Sequence, residues 1–204
     1  MESFTSGKSE TEFSTGTTTV AVVTDDGVLL AADRRASLGG RFVANKGMTK
    51  IEQVHPTAAI TIAGSVGGAQ GYARQLQAQA SLYETRRGKR MSIPALAQHA
   101  GDMLRGLPVS ILLGGADDEG GHLYQVDAAG GVIEEQQYAA SGSGMQLAYG
   151  TLENNYEEGM SLDDAKEAAI AAIDAASERD TASGNGVVTA TITSEGVDIT
   201  EEDE

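Results

Sequence analysis

A threonine becomes a strong nucleophile near neutral pH when it stands first in its chain, because its own α-amine then supplies the base. Such an amine titrates at ~7.7–8.0, so an appreciable fraction is neutral and can take the hydroxyl proton, directly or through a water. The run Gly16-Thr17-Thr18-Thr19-Val20 would present such a residue if the bond between Gly16 and Thr17 were cut. Before that cut the nitrogen is an amide without basicity, so residues 1–16 would keep the group silent. Read alone, the run is more simply a strand rich in Thr.

Three further places bear on the same chemistry. Asp33-Arg34-Arg35-Ala36-Ser37 supplies a carboxylate, and Lys50 lies further on. A lysine beside the Thr17 hydroxyl would stabilise developing negative charge and favour the neutral amine. Asp33 would neutralise and orient it, since an unpaired buried charge is costly. Lys46 is the rival, and Lys50 is preferred because it directly precedes the apolar Ile51. In Thr61-Ile62-Ala63-Gly64-Ser65, the Gly64 N–H is a candidate oxyanion donor at a point where glycine allows close approach of substrate. Ser141-Gly142-Ser143-Gly144 and Arg179-Asp180-Thr181-Ala182-Ser183-Gly184 each read singly as helix punctuation. Together they hold small hydroxyls and one carboxylate able to orient the amine.

The elements around these residues alternate in groups. Residues 17–23 and 28–32 have strand composition and flank Asp25-Asp26-Gly27, a hairpin signal. That hairpin alone brings Thr17 next to Asp33. Short strands are expected at 42–44, 49–54 and 58–63, then a helix over 67–87 with Tyr72, Leu76, Ala80 and Tyr83 on one stripe and Gly88 as its stop. Ser92 and Pro94 open a second helix over 93–104. Strands at 109–113, 122–126 and 132–138 precede helices at 144–156 and 162–178, the latter capped by Ser161 with Asp164 three residues on. Strands at 186–192 and 197–200 close the order. Grouped helices between hairpin-rich strands argue for a layered α+β fold, two antiparallel sheets with helices on both outer faces. Residues 1–16 read as a flexible leader, 17–204 as one domain, and 201–204 as an acidic tail without an apolar anchor.

Composition excludes several classes. The 204 residues carry 30 Asp and Glu against 14 Lys and Arg, a net charge of −16. Such a chain repels phosphates, so no direct nucleic-acid role is expected. The acidity has two readings: it keeps the chain soluble, or it marks a halophile, where salt screens self-repulsion, and the scarcity of Lys favours the halophile. Cysteine is absent, which removes disulfides, thiol nucleophiles and Cys-ligated zinc. No run of ~18 apolar residues suggests a membrane span, and the first residues lack the basic start and apolar stretch of a secretory signal, so a cytoplasmic location is expected.

The segments TGTTTV, DRRAS, the lysine before Ile51, TIAGS, SGSG and RDTASGNG follow one another over nearly the whole chain. This ordered set closely resembles archaeal proteasome β subunits, which are N-terminal-nucleophile hydrolases. The resemblance implies a four-layer α-β-β-α sandwich and a threonine endopeptidase that needs no cofactor or metal. It implies Thr17 as nucleophile and base, Asp33 and Lys50 as its acidic and lysine partners, and Gly64 as the oxyanion donor. Ser143, Asp180 and Ser183 match the residues that support the amine, and the bond after Gly16 matches the self-cleavage site. Ala36, Met48, Ile62 and Val66 match the specificity pocket; all four are apolar, which implies cleavage after hydrophobic residues. The implied partners are β subunits in two stacked heptameric rings, flanking α subunits, an unfoldase ATPase and polypeptide substrates.

Three departures stand out. Ala21 replaces a usual Gly, one extra residue lies between Ser37 and Lys50 relative to some members, and residues 105–109 form a shorter stretch than expected before a strand, a change that could alter a loop at a subunit contact. The rival readings are a non-catalytic β subunit serving only the ring, a small-molecule amidase of the same nucleophile class, and a simple bacterial peptidase ring.

Overall fold

The computed structural model describes residues 14–38 and 41–202. Eighteen elements run in the order β1 (Ser14–Thr15), β2 (Thr18–Thr24), β3 (Gly27–Asp33), β4 (Ala36–Leu38), β5 (Phe42–Asn45), β6 (Ile51–His55), β7 (Ala58–Thr61), β8 (Ala63–Ser65), α1 (Val66–Arg87), α2 (Ile93–Leu104), β9 (Val109–Asp117), β10 (Gly120–Val126), β11 (Val132–Glu135), β12 (Tyr138–Gly142), α3 (Met145–Asn155), α4 (Leu162–Ser177), β13 (Val187–Thr193) and β14 (Gly196–Glu202).

One sheet has the order β12-β2-β3-β13-β14, and the other runs β1-β8-β9-β10-β11 with β7 also on β9 and β6 on β7. Three apolar clusters separate four layers. Val20, Val22, Leu29 and Ala31 face Leu152, Ala165, Ala169 and Ile173 of α3 and α4. Ala21, Val28, Leu30, Leu112, Leu123, Val188 and Ile192 fill the space between the sheets. Ile60, Ile111, Leu113 and Tyr124 meet Tyr72, Leu76, Ile93, Leu96 and Leu104 of α1 and α2. This is the expected α-β-β-α sandwich. β3 is buried on both faces, which is why GVLLAA is continuously apolar rather than alternating before it ends at Asp33. Small residues let the sheets close. A Cβ on Gly114 would stand 2.9 Å from Val28 Cγ1 and 3.1 Å from Ile192 Cδ1. Ala21 lies fully buried in the same inter-sheet layer, so the methyl in place of the usual glycine packs there.

The helices begin and end largely where the sequence places them. Gly88 stops α1 with φ 68° and an N–H bonded to Glu84 O. Ser161 Oγ accepts from Asp164 N to open α4, whereas Ser92 precedes α2 without a side-chain cap bond and the turn rests on Pro94. Two expected strands divide. The 58–63 strand breaks before Ala63, so β7 pairs with β6 and β9, while β8 pairs with β9 and β1. The 132–138 strand splits at Gln136 and Gln137, its halves joining different sheets. A composition rich in β-formers shows that residues extend, not which sheet they join.

Both ends of the chain also differ from expectation. Ser14 and Thr15 pair antiparallel with Ser65 and Gly64, so the end of the segment expected to be a flexible leader forms a strand; residues 1–13 lie outside the described residues. Glu201 and Glu202 belong to β14 rather than to a free tail. Glu201 pairs with Arg34 at 2.7 Å and Glu202 with Lys166, anchors made by charge rather than by apolar contact.

Candidate active site

The β2–β3 hairpin sets the site. Thr24 pairs with Gly27 across the Asp25-Asp26 turn, and the ladder runs back to Thr19 opposite Ala32. Thr17 therefore arrives beside Asp33, with its hydroxyl donating to Asp33 Oδ1 at 2.8 Å. Lys50, just before β6, donates to the same Oδ1 at 2.7 Å and also to Thr17 Oγ1. All three are buried: Thr17 and Lys50 are 1% exposed and Asp33 is fully inaccessible. Lys46 is exposed on the preceding loop and takes no part.

Asp33 is held by five donors. Oδ1 receives Thr17 Oγ1, Lys50 Nζ and, at 2.9 Å, Thr18 N; Oδ2 receives Arg35 N and Gly184 N, each at 3.0 Å. Such saturation fixes the plane of the carboxylate. Burial holds the Lys50 ammonium below the ordinary lysine range, and the Asp33 charge and hydrogen bond oppose that shift. A cation in that position lowers the cost of negative charge on Thr17 Oγ1.

A second group meets the Thr17 nitrogen, which is a peptide nitrogen while Gly16 precedes it. Thr17 N donates to Ser143 Oγ at 3.0 Å, and Ser143 Oγ donates to Asp180 Oδ2 at 2.6 Å. Ser183 Oγ donates to the same Oδ2 at 2.6 Å. Ser183 has one hydroxyl proton, so its 2.7 Å contact with Thr18 Oγ1 has Thr18 as the donor. Thr18 thus ties the two groups together through its backbone and its side chain. Sequence reading did not single it out; the signal was its place inside the TTT run.

Gly64 lies in β8 opposite Thr15, with φ 120°. A Cβ there would be 2.3 Å from Pro108 O, which also accepts from Ser65 N at 3.2 Å. The short 105–109 stretch therefore braces the Gly64 edge. Gly16 is equally confined: a Cβ would lie 2.2 Å from Ala182 Cβ and 2.8 Å from Ser143 Oγ.

The four positions expected to form a pocket differ in placement. Ala36 is buried at the start of β4, Met48 is half-buried with its N–H on Arg34 O at 3.0 Å, and Val66 opens α1 half-buried. Ile62 donates its N–H to Lys50 O at 2.9 Å, and its side chain belongs to the apolar layer under α1 and α2.

A four-layer sandwich whose central sheets carry a threonine, a lysine and an aspartate at one end is the N-terminal-nucleophile hydrolase fold. Residues 13–192 match the family described as proteasome subunit. The chain is 58% identical to proteasome subunit beta of Halorhabdus utahensis over 201 residues, 97% of this chain and 86% of that protein. It is 57% identical to proteasome subunit beta 2 of Haloterrigena turkmenica over 188 residues, 91% and 79% of the two chains. It is 58% identical to proteasome subunit beta 2 of Haloarcula marismortui over 188 residues, 91% and 81%. The chain belongs to the proteasome subunit family, and so to a family that works as an assembly of such subunits. No helix among the described residues is long and apolar enough to cross a membrane.

Proposed function

We propose that this chain is a catalytic β subunit of a proteasome core particle, a threonine endopeptidase that removes its own leader after Gly16. The observation that carries the reading is the buried Lys50 ammonium bonded to both Thr17 Oγ1 and Asp33 Oδ1, with Thr17 two residues beyond the strand Ser14–Thr15. A subunit serving only the ring has no use for a desolvated cation on a threonine hydroxyl, which costs several kcal/mol to bury.

In the first turnover Thr17 Oγ1 attacks the Gly16 carbonyl carbon. Its proton leaves toward the Asp33–Lys50 pair, and the C–N bond breaks as an ester forms on Oγ1. The nitrogen gains a proton and becomes the α-amine of Thr17. Water then hydrolyses the ester, releasing the leader with Gly16 as its carboxylate end. Thereafter the amine, oriented by Ser143, Asp180 and Ser183, takes the hydroxyl proton when Thr17 attacks a substrate carbonyl. The Gly64 N–H meets the oxyanion, and the amine returns the proton to the leaving nitrogen. Water completes hydrolysis of the acyl ester. The strand edge that pairs with Ser14 and Thr15 would hold an extended polypeptide in the same antiparallel register. Ala36, Met48 and Val66, with Ile62 behind them, would favour cleavage after hydrophobic residues.

The proposal extends to setting: two stacked heptameric β rings between α rings, an unfoldase ATPase feeding unfolded chains, and the cytoplasm of a halophilic archaeon. The −16 charge and the source of the relatives support the last point. The test is intact mass and peptidase activity of the chain co-expressed with an α-type partner. A mature chain starting at Thr17 in wild type, and an uncut, inactive Thr17→Ala chain, are expected. An assembled wild-type particle that retains residues 1–16 and cleaves no peptide would leave the ring-only role.

A further inference from the structure

Two halves of the site, the Asp33 group and the Asp180 group, sit on separate parts of the chain, and Thr18 is not their sole link. Segment 33–35 and loop 180–185 meet through four hydrogen bonds. Two are from the backbone: Arg34 N donates to Gly184 O at 3.1 Å, and Gly184 N donates to Asp33 Oδ2 at 3.0 Å. The other two come from one side chain. Arg35 Nε donates to Asn185 Oδ1 at 3.0 Å, and an Arg35 terminal nitrogen donates to Thr181 O at 3.1 Å. The guanidinium therefore spans the loop from Thr181 to Asn185, with Ser183 and Gly184 between its two anchors.

The loop is shaped around this contact. Asn185 is the one residue other than glycine with positive φ among the described residues, at 67°. That conformation costs little for Asn and delivers its Oδ1 to Arg35. At Gly184 a Cβ would stand 2.6 Å from Arg35 NH2, so the guanidinium packs directly on the backbone. Within the loop, Ala182 N donates to Asp180 Oδ1 at 3.2 Å and Ser183 N to Asp180 O at 3.1 Å, so displacing its ends displaces Asp180.

We infer that Arg35, with Asn185 as its acceptor, is a positioning residue that sets the Asp180–Ser183 group against the Thr17–Asp33–Lys50 group. The inference rests on the catalytic reading above. Arg35 touches neither Thr17 nor the scissile bond; it acts through Asp180, Ser183 and the Gly184 N–H. Lysine cannot replace it, because one ammonium cannot serve both anchors in the plane of a guanidinium fork. Its charge also adds to burial in holding Lys50 below the ordinary lysine range, against the opposing charges of Asp33 and Asp180.

The test uses the assembled particle, with kcat and KM measured on a fluorogenic peptide and active sites counted by a covalent threonine-directed probe. Asn185→Gly removes the acceptor amide and keeps a residue suited to positive φ. It is expected to lower kcat per active site about five- to tenfold with KM within about twofold, as misplacement of catalytic groups does. Arg35→Met removes both anchors and should cost about 10–100-fold in kcat and slow leader removal. The double variant should be no worse than Arg35→Met, because the two changes break the same bond. Wild-type kcat per site in Asn185→Gly would overturn the inference even if its melting temperature falls, and would do so whether or not Arg35→Met assembles. A wild-type particle that keeps its leader and has no activity would bring down the catalytic reading and this inference together, an outcome distinct from the first.

Discussion

Replacing Asp33 by Asn tests the electrostatic core of the site. The substitution keeps the shape and removes the charge. All five donors converge on the two carboxylate oxygens, three on Oδ1 and two on Oδ2. An Asn amide would set its NH2 against N–H or ammonium donors in either orientation, leaving at least one buried donor unmatched at about 1–3 kcal/mol. Lys50, 1% exposed, would lose its counter-ion. A buried cation stripped of its partner costs roughly 3–5 kcal/mol. Losing its proton instead costs at most ~4.6 kcal/mol at pH 7, from an ordinary lysine value of ~10.4 at 1.36 kcal/mol per unit. The two routes agree, so a loss of about 3–5 kcal/mol is expected from the charge, or roughly 6–20 °C in melting temperature for a domain of this size. Thr17→Ala is the reference, because it keeps the Asp33–Lys50 pair and also keeps the leader. The pH dependence has a definite sign. Lys50 is held below its unfolded value by burial, and losing Asp33 removes the main opposing influence. The unfolded chain then binds the extra proton, so stability rises with pH and the deficit against the reference narrows toward the ordinary lysine range. Thermal unfolding from pH 7 to 10, with intact mass to follow the leader, reads both effects. A deficit under about 2 °C, or one constant across that range, would refute the burial argument; so would normal leader removal in Asp33→Asn.

Lys50→Ala should abolish leader cleavage and peptidase activity, while Lys46→Ala, on an exposed loop, should leave kcat within about twofold of wild type; equal effects in the same peptide assay would mean the wrong lysine is placed at Thr17. Gly16→Ala should slow leader removal at least about tenfold by time-resolved mass, since its Cβ would meet Ala182 Cβ at 2.2 Å. Once matured, that variant should turn over peptides like wild type, because residue 16 is gone. Gly64→Ala should fail in both assays and lose about 1–3 kcal/mol in denaturant unfolding, because φ is 120° and the Cβ would fall 2.3 Å from Pro108 O.

The sequence by itself determined the local elements and one critical distance. Asp25-Asp26 turns the chain between two apolar strands, and a turn placed there sets the register that brings Thr17 to Asp33. The choice of Lys50 over Lys46 was also legible, because a lysine flush against Ile51 is buried with the start of the strand it precedes while one on a polar loop stays exposed. The identity of Ser143, Asp180 and Ser183 came from family likeness; their spacing along the chain carries no sign that they share one carboxylate oxygen. What only the tertiary structure decided is everything that depends on meeting across layers. It divided residues 58–63 and 132–138 between partners, since extended composition does not specify a neighbour. It drew Ser14 and Thr15 onto β8 because a strand edge with unpaired backbone groups accepts any extended chain that reaches it. It tied Glu201 to Arg34 across 167 positions and Arg35 to Asn185 across 150. Such contacts follow from how sheets stack and where loops end. Those are properties of the packed whole, set by the fit of three apolar layers rather than by any one segment.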